Sequence, residues 1–427
     1  MKNSKKVLIL TYYWPPSGGS GVQRWMYFAK YLKHLGWTPF VITVDEKYAS
    51  YSTFDQTLLN EVDGINVTKT KTREPLKWYS LFFTGSKNGG IPQGELKIKG
   101  FLSRLAAFIR GNYFLPDARK GWNTYAFIEA VKLIKKENVK TVITTGPPHS
   151  THLVGAKLKR KLAIKWLADF RDPWSDIFYN KDLYQTKSAK KRNNDYEKMV
   201  LNFADAIMTT VSGKFLNKLK KKAPDQKFFT FPNGYDHILL SKTPKTQLNS
   251  FHIVYTGLLT DNQDYIGLIK VLKTLSKNNT IRFSLAGQIP KSILNYIRTE
   301  LPLVEVNYKG YISHVNALNL IKSADLLLNF IFKTAYHDMI SGKLMEYMAT
   351  EIPVLSIGNP NSEAGKLLRE GSFAEMIQGH NEKAIQNFIS KTINQKGKAL
   401  NKVSGIEKWS RMEITKDLIK LISKHNI

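Results

Sequence analysis

Residues 336–363 read Tyr-His-Asp-Met-Ile-Ser-Gly-Lys-Leu-Met-Glu-Tyr-Met-Ala-Thr-Glu-Ile-Pro-Val-Leu-Ser-Ile-Gly-Asn-Pro-Asn-Ser-Glu. Asp338 opens a polar loop, and Ser341-Gly342 stand where a helix can begin. Leu344, Met345, Tyr347 and Met348 then recur at helical spacing. Pro353 stops the helix, and Val354-Leu355-Ser356-Ile357 has the composition of a short buried strand. The first turn of such a helix leaves the N–H groups of Ser341, Gly342 and Lys343 without intrahelical acceptors, and the dipole favours an anion there. Lys343 adds a full positive charge. Glu346, one turn in, is placed to accept hydrogen bonds from neutral hydroxyls beside that anion. A diphosphate joined to a ribose meets both demands. The same residues also fit an ordinary amphipathic helix with a solvated Glu and Lys, since charged side chains mostly sit on exposed faces.

Upstream of this stretch the chain alternates strand and helix. Val7–Tyr12 reads as a buried strand, residues 14–21 (Trp-Pro-Pro-Ser-Gly-Gly-Ser-Gly) as a loop, and Gln23–Leu35 as a helix closed by Gly36. Pro39–Val44 is the next strand, and this βαβ start predicts a parallel sheet with right-handed crossovers. A glycine-rich loop ahead of a helix turns amides towards a ligand at the carboxyl edge of the sheet, which makes Gly18, Gly19 and Arg24 candidate phosphate or acceptor contacts. Gly19-Ser-Gly21-Val-Gln-Arg24 is not a dinucleotide fingerprint, because Arg24 occupies the place of the third glycine. Asp45, at the end of the second strand, keeps a nicotinamide-dependent enzyme as an alternative.

Two further loops follow strands. Thr141–Thr145 leads into Gly146-Pro147-Pro148-His149-Ser150, which puts His149 at the start of a helix over 150–162. There the dipole opposes a second proton, so a neutral imidazole can accept a hydrogen bond from a hydroxyl. The plain alternative is a capping loop with a solvated histidine. Ile164–Ala168 runs into Asp169-Phe170-Arg171-Asp172-Pro173-Trp174, where Arg171 and Asp172 are candidates to recognise hydroxyls and phosphates. An Arg–Asp ion pair bracing the loop is the alternative. The polar stretch 237–250 is the expected linker. Beyond it, His252–Tyr255 leads to Gly257, and Val304–Tyr308 leads to Gly310-Tyr311-Ile312-Ser313. Asp325–Phe330 enters the loop quoted first.

At 427 residues the chain is long enough for two domains. It has no cysteine, which excludes disulfides and thiolate metal sites. The net charge is +30, of which residues 1–250 carry +23 and residues 251–427 carry +7. Such an excess suits anionic partners or simply a soluble surface. Residues 77–83 are apolar and aromatic. Residues 96–114 interleave Lys97, Lys99, Arg104 and Arg110 with Phe101, Leu102, Leu105, Phe108 and Ile109, a composition suited to an anionic membrane interface or to a helix packed on its own domain. No apolar run approaches the ~18 residues of a membrane span.

Asp338 and Glu346, with Pro353-Val354-Leu355 and the Gly358…Glu363 turn, resemble the acidic E-x7-E element of retaining glycosyltransferases of the GT-B fold, family four, with Asp in the first position. Pro232-Asn233-Gly234-Tyr235-Asp236 resembles the turn that closes the N-terminal domain in that family. The Gly-Pro-Pro-His-Ser loop resembles a subset that builds surface polysaccharide. The resemblance implies an α/β fold with two Rossmann-like domains facing a central cleft. Residues 1–240 form the acceptor-side domain, joined by a C-terminal helix at 408–427 that crosses back, and residues 250–405 form the nucleotide-sugar domain. It implies that Glu346 holds the ribose, that Asp338 lies near the sugar, and that the amides of Ser341 and Gly342 hold the diphosphate with Lys343. Tyr311 and Ile312 would seat the base, beside Gly257. Relatives carry Arg and Lys after that glycine, whereas Leu258-Leu259-Thr260-Asp261-Asn262-Gln263 has no base, so Lys343 is expected to supply the charge.

The expected activity is retaining, metal-independent transfer of a sugar from a UDP- or GDP-linked donor to a glycan or lipid-linked acceptor. Asp338, His149, Asp172 and Arg171 are the catalytic candidates. No cofactor and no nucleic-acid partner are expected, no Asp-x-Asp pair signals a metal, and the expected location is cytoplasmic, peripheral at the inner face of the membrane. The competing reading is a non-enzymatic basic protein that binds a membrane or a polyanion.

Overall fold

A computed structural model describes residues 5–51, 53–74, 101–246, 248–333, 340–370, 373–397 and 405–425. The aromatic stretch at 77–83 and the basic residues Lys97 and Lys99 lie outside the described residues. The chain forms two compact units, Met1–Pro232 with Met412–Ile427, and Asn233–Arg411. The polar stretch 237–250 holds a short helix, His237–Lys242, inside the second unit, and the Asp236 carboxylate caps it by accepting from Leu239 N.

The first unit is built on Lys6–Leu10 (β1), Thr38–Val44 (β2), Asn66–Thr70 (β3), Thr141–Gly146 (β4), Lys165–Phe170 (β5), Ala206–Thr209 (β6) and Phe228–Thr230 (β7). Their order in the sheet is β3-β2-β1-β4-β5-β6-β7, and every ladder is parallel. The second unit contains Phe251–Thr256 (β8), Ile281–Ala286 (β9), Glu305–Tyr308 (β10), Leu326–Phe330 (β11), Val354–Ile357 (β12) and Ala374–Ile377 (β13). Their order is β10-β9-β8-β11-β12-β13, again parallel throughout.

Parallel sheets carry helices on both faces, so their central strands must be apolar on both sides. Val7, Leu8, Ile9 and Leu10 of β1 and Leu326, Leu327 and Leu328 of β11 are wholly buried, as that demands. Both sheets reverse strand order at one point, between β1 and β4 and between β8 and β11. Open α/β sheets bind ligands outside the carboxyl ends of the strands at such a reversal. The loops after β1 and β4 therefore border one candidate crevice, and those after β8 and β11 border a second. Among the described residues no helix is long and apolar enough to cross a membrane.

Candidate functional site

In the first unit, the loop after β1 is held by the fold itself. Gly18 N donates to Thr53 O at 2.9 Å. Gly19 adopts φ +88 and leads directly into the helix Ser20–His34, a backbone turn that suits glycine. Arg24 is buried, and its guanidinium grips Asp169 through Nε at 3.0 Å and Nη2 at 2.9 Å and reaches Phe231 O at 2.8 Å. Trp25 Nε1 and Thr145 Oγ1 also donate to Asp169, at 2.6 Å and 3.0 Å. The expectation that Gly18 and Arg24 face a phosphate is thereby corrected. Asp169 is fully buried near the end of β5, and a buried carboxylate needs a paired cation, which Arg24 supplies.

Arg171 is corrected in the same way. Its Nη1 donates to Gly21 O at 2.5 Å, Nη2 to Pro147 O at 2.6 Å and Nε to Gly146 O at 3.2 Å. It ties the first turn of the helix Ser20–His34 to the end of β4 and the loop that follows. Asp172 has no hydrogen-bond partner among the described residues, and burial pushes its carboxyl up against the opposing pull of Arg171. His149 is buried, not solvated, and its ring stacks on Trp174 at 4.9 Å with an interplanar angle of 9°. Burial first, then the neighbouring His152, hold its pKa well below the usual histidine value against a hydrogen bond to the Pro173 backbone that raises it, with Arg171 adding a lesser lowering. The helix dipole is not needed for that outcome, because the Asp117 carboxylate already occupies this helix start, accepting from Ser150 N at 2.7 Å and Ser150 Oγ at 2.9 Å.

In the second unit, the quoted stretch folds one turn later than its sequence suggests. Gly342 and Lys343 form a turn, Leu344 N bonds to Ser341 O at 3.0 Å, and the helix covers only Leu344–Met348. Five residues make a slight dipole, so the positive charge at this point rests on Lys343. The short helix is pinned by Tyr347, whose hydroxyl lies 2.8 Å from Thr256 Oγ1 and 3.1 Å from Thr256 N. Pro353 and β12 follow as the sequence indicates.

Lys343 Nζ donates to Thr256 O at 2.5 Å and sits 3.9 Å from the centre of the Tyr255 ring. A side chain at Gly257, where φ is +129, would begin 2.8 Å from Nζ, so the glycine leaves room for the ammonium. Burial pulls the Lys343 pKa down to about 7. The Ser341 hydroxyl nearby is buried without a hydrogen-bond partner. The lysine thus places its cation at the carboxyl end of β8, beside the stretch 258–263 that lacks a base.

Glu346 is about nine-tenths buried, and its carboxylate is held by charged and polar partners. Its Oε1 accepts from His314 Nε2 at 3.1 Å and from Arg411 Nη2 at 3.3 Å, while Oε2 has no hydrogen-bond partner among the described residues. Burial pushes the carboxyl up, but His314 and Arg411 outweigh it and hold the pKa below the usual glutamate value. His314 starts the helix His314–Lys322, capped by Ser313, just after the exposed Tyr311 and the half-buried Ile312. Arg411 follows the Trp409–Ser410 segment that pairs with Tyr235, where Tyr235 N bonds to Trp409 O at 3.1 Å and Arg411 N to Tyr235 O at 2.9 Å. His314 and Arg411 are functional candidates that the sequence reading did not contain. Asp338 lies outside the described residues.

No family model matches this sequence, and no curated protein matches it significantly. Solved structures resemble it over its whole length. A glycosyltransferase from Rickettsia africae ESF-5 superposes with a TM-score of 0.62 at 16% identity, covering 99% of this chain and 99% of that one. Anabaena Alr3699/HepE, solved in complex with UDP-glucose, gives 0.62 at 13% identity, covering 98% and 99%. Sucrose-phosphate synthase from Thermosynechococcus elongatus gives 0.61 at 13% identity, covering 98% of each chain. With its two parallel sheets and their flanking helices, the chain has the α/β GT-B fold of two Rossmann-like domains.

Proposed function

We propose that this protein is a glycosyltransferase that moves a sugar from a nucleotide-diphosphate donor, UDP- or GDP-linked, with retention and without a metal. The observation that carries the reading is the Glu346 carboxylate. One of its oxygens is tied down by His314 and Arg411 and the other is open. An ionised, pre-oriented acceptor of this kind suits the hydroxyl pair of a ribose. In the same unit Lys343 and the unpaired Ser341 hydroxyl offer the cation and donor that a diphosphate requires. A fixed cation beside the leaving diphosphate stabilises charge as it develops, so no protein nucleophile is invoked. Asp338 is assigned to the sugar side, and Tyr311 and Ile312 to the base. The fold neighbour HepE, whose bound ligand is UDP-glucose, supports the donor class. A thermal-shift panel of UDP, GDP, ADP and their hexose conjugates tests it. At least one uridine or guanosine diphosphate should raise the melting temperature, with nucleotide release following when the matching sugar conjugate is supplied; no stabilisation by any member refutes the donor assignment.

The acceptor is a glycan or a lipid-linked sugar. The lipid-linked form is supported by the helix Phe101–Tyr113, which exposes Leu105, Phe108, Ile109 and Tyr113 and carries Arg104 and Arg110. Apolar side chains with flanking bases suit an anionic bilayer surface. The protein should float with phosphatidylglycerol vesicles at low salt, and F108E/I109E should remain in the soluble fraction. Wild type that stays with the soluble fraction removes the membrane reading.

A further inference from the structure

The chain passes between its two units twice, at Pro232–Asn233 and at Arg411–Met412. Inside the second unit the two crossing segments are bonded to each other. Tyr235 pairs with Ser410 in a parallel bridge, and the flanking bonds run from Tyr235 N to Trp409 O and from Arg411 N to Tyr235 O. Tyr235, Asp236, Trp409, Ser410 and Arg411 are all buried. The short helix that carries Glu346 reaches the same place. Gly234 N meets Met345 Sδ at 3.3 Å, and Tyr235, Met345, Tyr347 and Trp409 share one apolar cluster.

One side chain joins the carboxylate to the crossing segments. The Arg411 guanidinium donates through Nε to Asn233 O at 3.4 Å and through Nη2 to Glu346 Oε1 at 3.3 Å. Its donors lie in one rigid plane, so Nη2 cannot follow the carboxylate without carrying Nε along. Both bonds exceed the roughly 2.9–3.0 Å at which N–H···O contacts are commonest, so each has slack to take up. A counter-ion for a buried carboxylate needs only the Nη2 bond. The Nε bond adds a carbonyl 178 positions away in the chain, at the residue where the second unit begins. Whatever fixes or discharges the Glu346 carboxylate therefore acts, through one planar group, on both places where the chain enters or leaves this unit.

We propose that Arg411 is a positioning residue that couples the Glu346 carboxylate to the order of the two crossing segments, so that a nucleotide held by Glu346 tightens both. By reciprocity, whatever orders these segments raises nucleotide affinity by the same factor. The nucleotide as ligand rests on the donor reading above; the coupling itself does not. Hydrogen exchange of the full chain, read by mass spectrometry, tests it. In the free protein, E346Q leaves Arg411 only a neutral oxygen. It should speed exchange over 233–236 and 409–411 by about fivefold, since charge-assisted bonds are roughly twice as strong as neutral ones. Peptides over β9 should stay unchanged. UDP and GDP, each at saturation, are the ligands. Whichever protects residues 341–346 should also slow both crossing segments by about fivefold or more, the lower end of ordinary coupling between sites. R411K keeps the charge but loses the fork, so 341–346 should still be protected while the crossing segments respond by less than about twofold. An arginine with a purely structural role would shift the basal exchange of R411K and leave its response to nucleotide intact, and that result overturns the proposal. So does an E346Q protein that exchanges like wild type at the crossing segments, or one that speeds β9 equally. The wild-type and E346Q measurements decide the matter even if R411K does not fold. If neither nucleotide protects 341–346, the donor reading fails, and the E346Q comparison still decides the coupling.

Discussion

Glu346→Ala is expected to weaken UDP or GDP binding by roughly 10- to 150-fold, the worth of about 1.5–3 kcal/mol for hydrogen bonds to a charged group. The same change should lower folding stability by about 3–5 kcal/mol, because it strands the Arg411 guanidinium and His314 ring in a largely buried site without their carboxylate. Glu346→Gln separates the two effects. It keeps the shape of the side chain and an oxygen for His314, but it forfeits the charge, so its stability loss should be smaller while its nucleotide affinity still falls. Urea unfolding measures the first quantity, and calorimetric titration with the nucleotide found in the panel measures the second. Since the folded carboxyl titrates below its unfolded value, the pair contributes its stability above the unfolded pKa of about 4.3 and loses it as the pH falls through the folded value. Unchanged affinity in both variants would show that this carboxylate does not touch the donor.

The second large effect concerns Lys343. Burial brings its pKa from the usual 10.5 to about 7, so the free protein carries this cation only partly at pH 7.5. A bound diphosphate favours the protonated form, and binding above pH 7 must therefore take up a proton. Affinity should fall as pH rises past 7, by up to tenfold per unit, until the pKa of the complex is reached. Lys343→Arg, always charged, should bind with little pH dependence over the same range. Lys343→Met should bind roughly 10–100-fold more weakly at pH 7, in line with the loss of one charge-assisted contact. Stability runs the other way. The unfolded lysine holds its proton up to about 10.4 while the folded one has released it, so wild-type stability should rise with pH between 7 and 10. Lys343→Met should lack that slope and melt higher than wild type at neutral pH. Calorimetry in buffers of different ionisation enthalpy counts the proton directly. A proton count of zero at pH 8 contradicts this account of the site.

The short helix and the strand of residues 344–357 could be read from the sequence because helix, proline and strand follow one another inside a single segment, and local spacing decides where each begins. Parallel strands that are apolar on both faces announce themselves for the same reason, and β1, β4, β8 and β12 stand where their composition puts them. The partners of Glu346 could not be read in this way. His314 and Arg411 lie 32 and 65 positions from it in the chain, and only the folding of β10, β11 and the Trp409–Arg411 segment brings them together. Arg24 shows the opposite hazard. An arginine beside glycines reads as a phosphate ligand until Asp169, 145 residues away, is seen to need a counter-charge. His152 was invisible because a buried histidine inside a helix carries no periodic signal.

The discontinuous make-up of the first unit has a consequence for biosynthesis. Its last helix, in which Ile414, Leu418, Leu421 and Ile422 are buried and His425 meets the Phe229 ring at 5.3 Å, is translated only after the whole of Asn233–Arg411. At ~5–20 residues per second the nascent first unit waits about 10–40 s for that piece. The ribosome therefore delivers a finished second unit beside an unfinished first one, and for that interval the surface awaiting the closing helix is a natural client for chaperones.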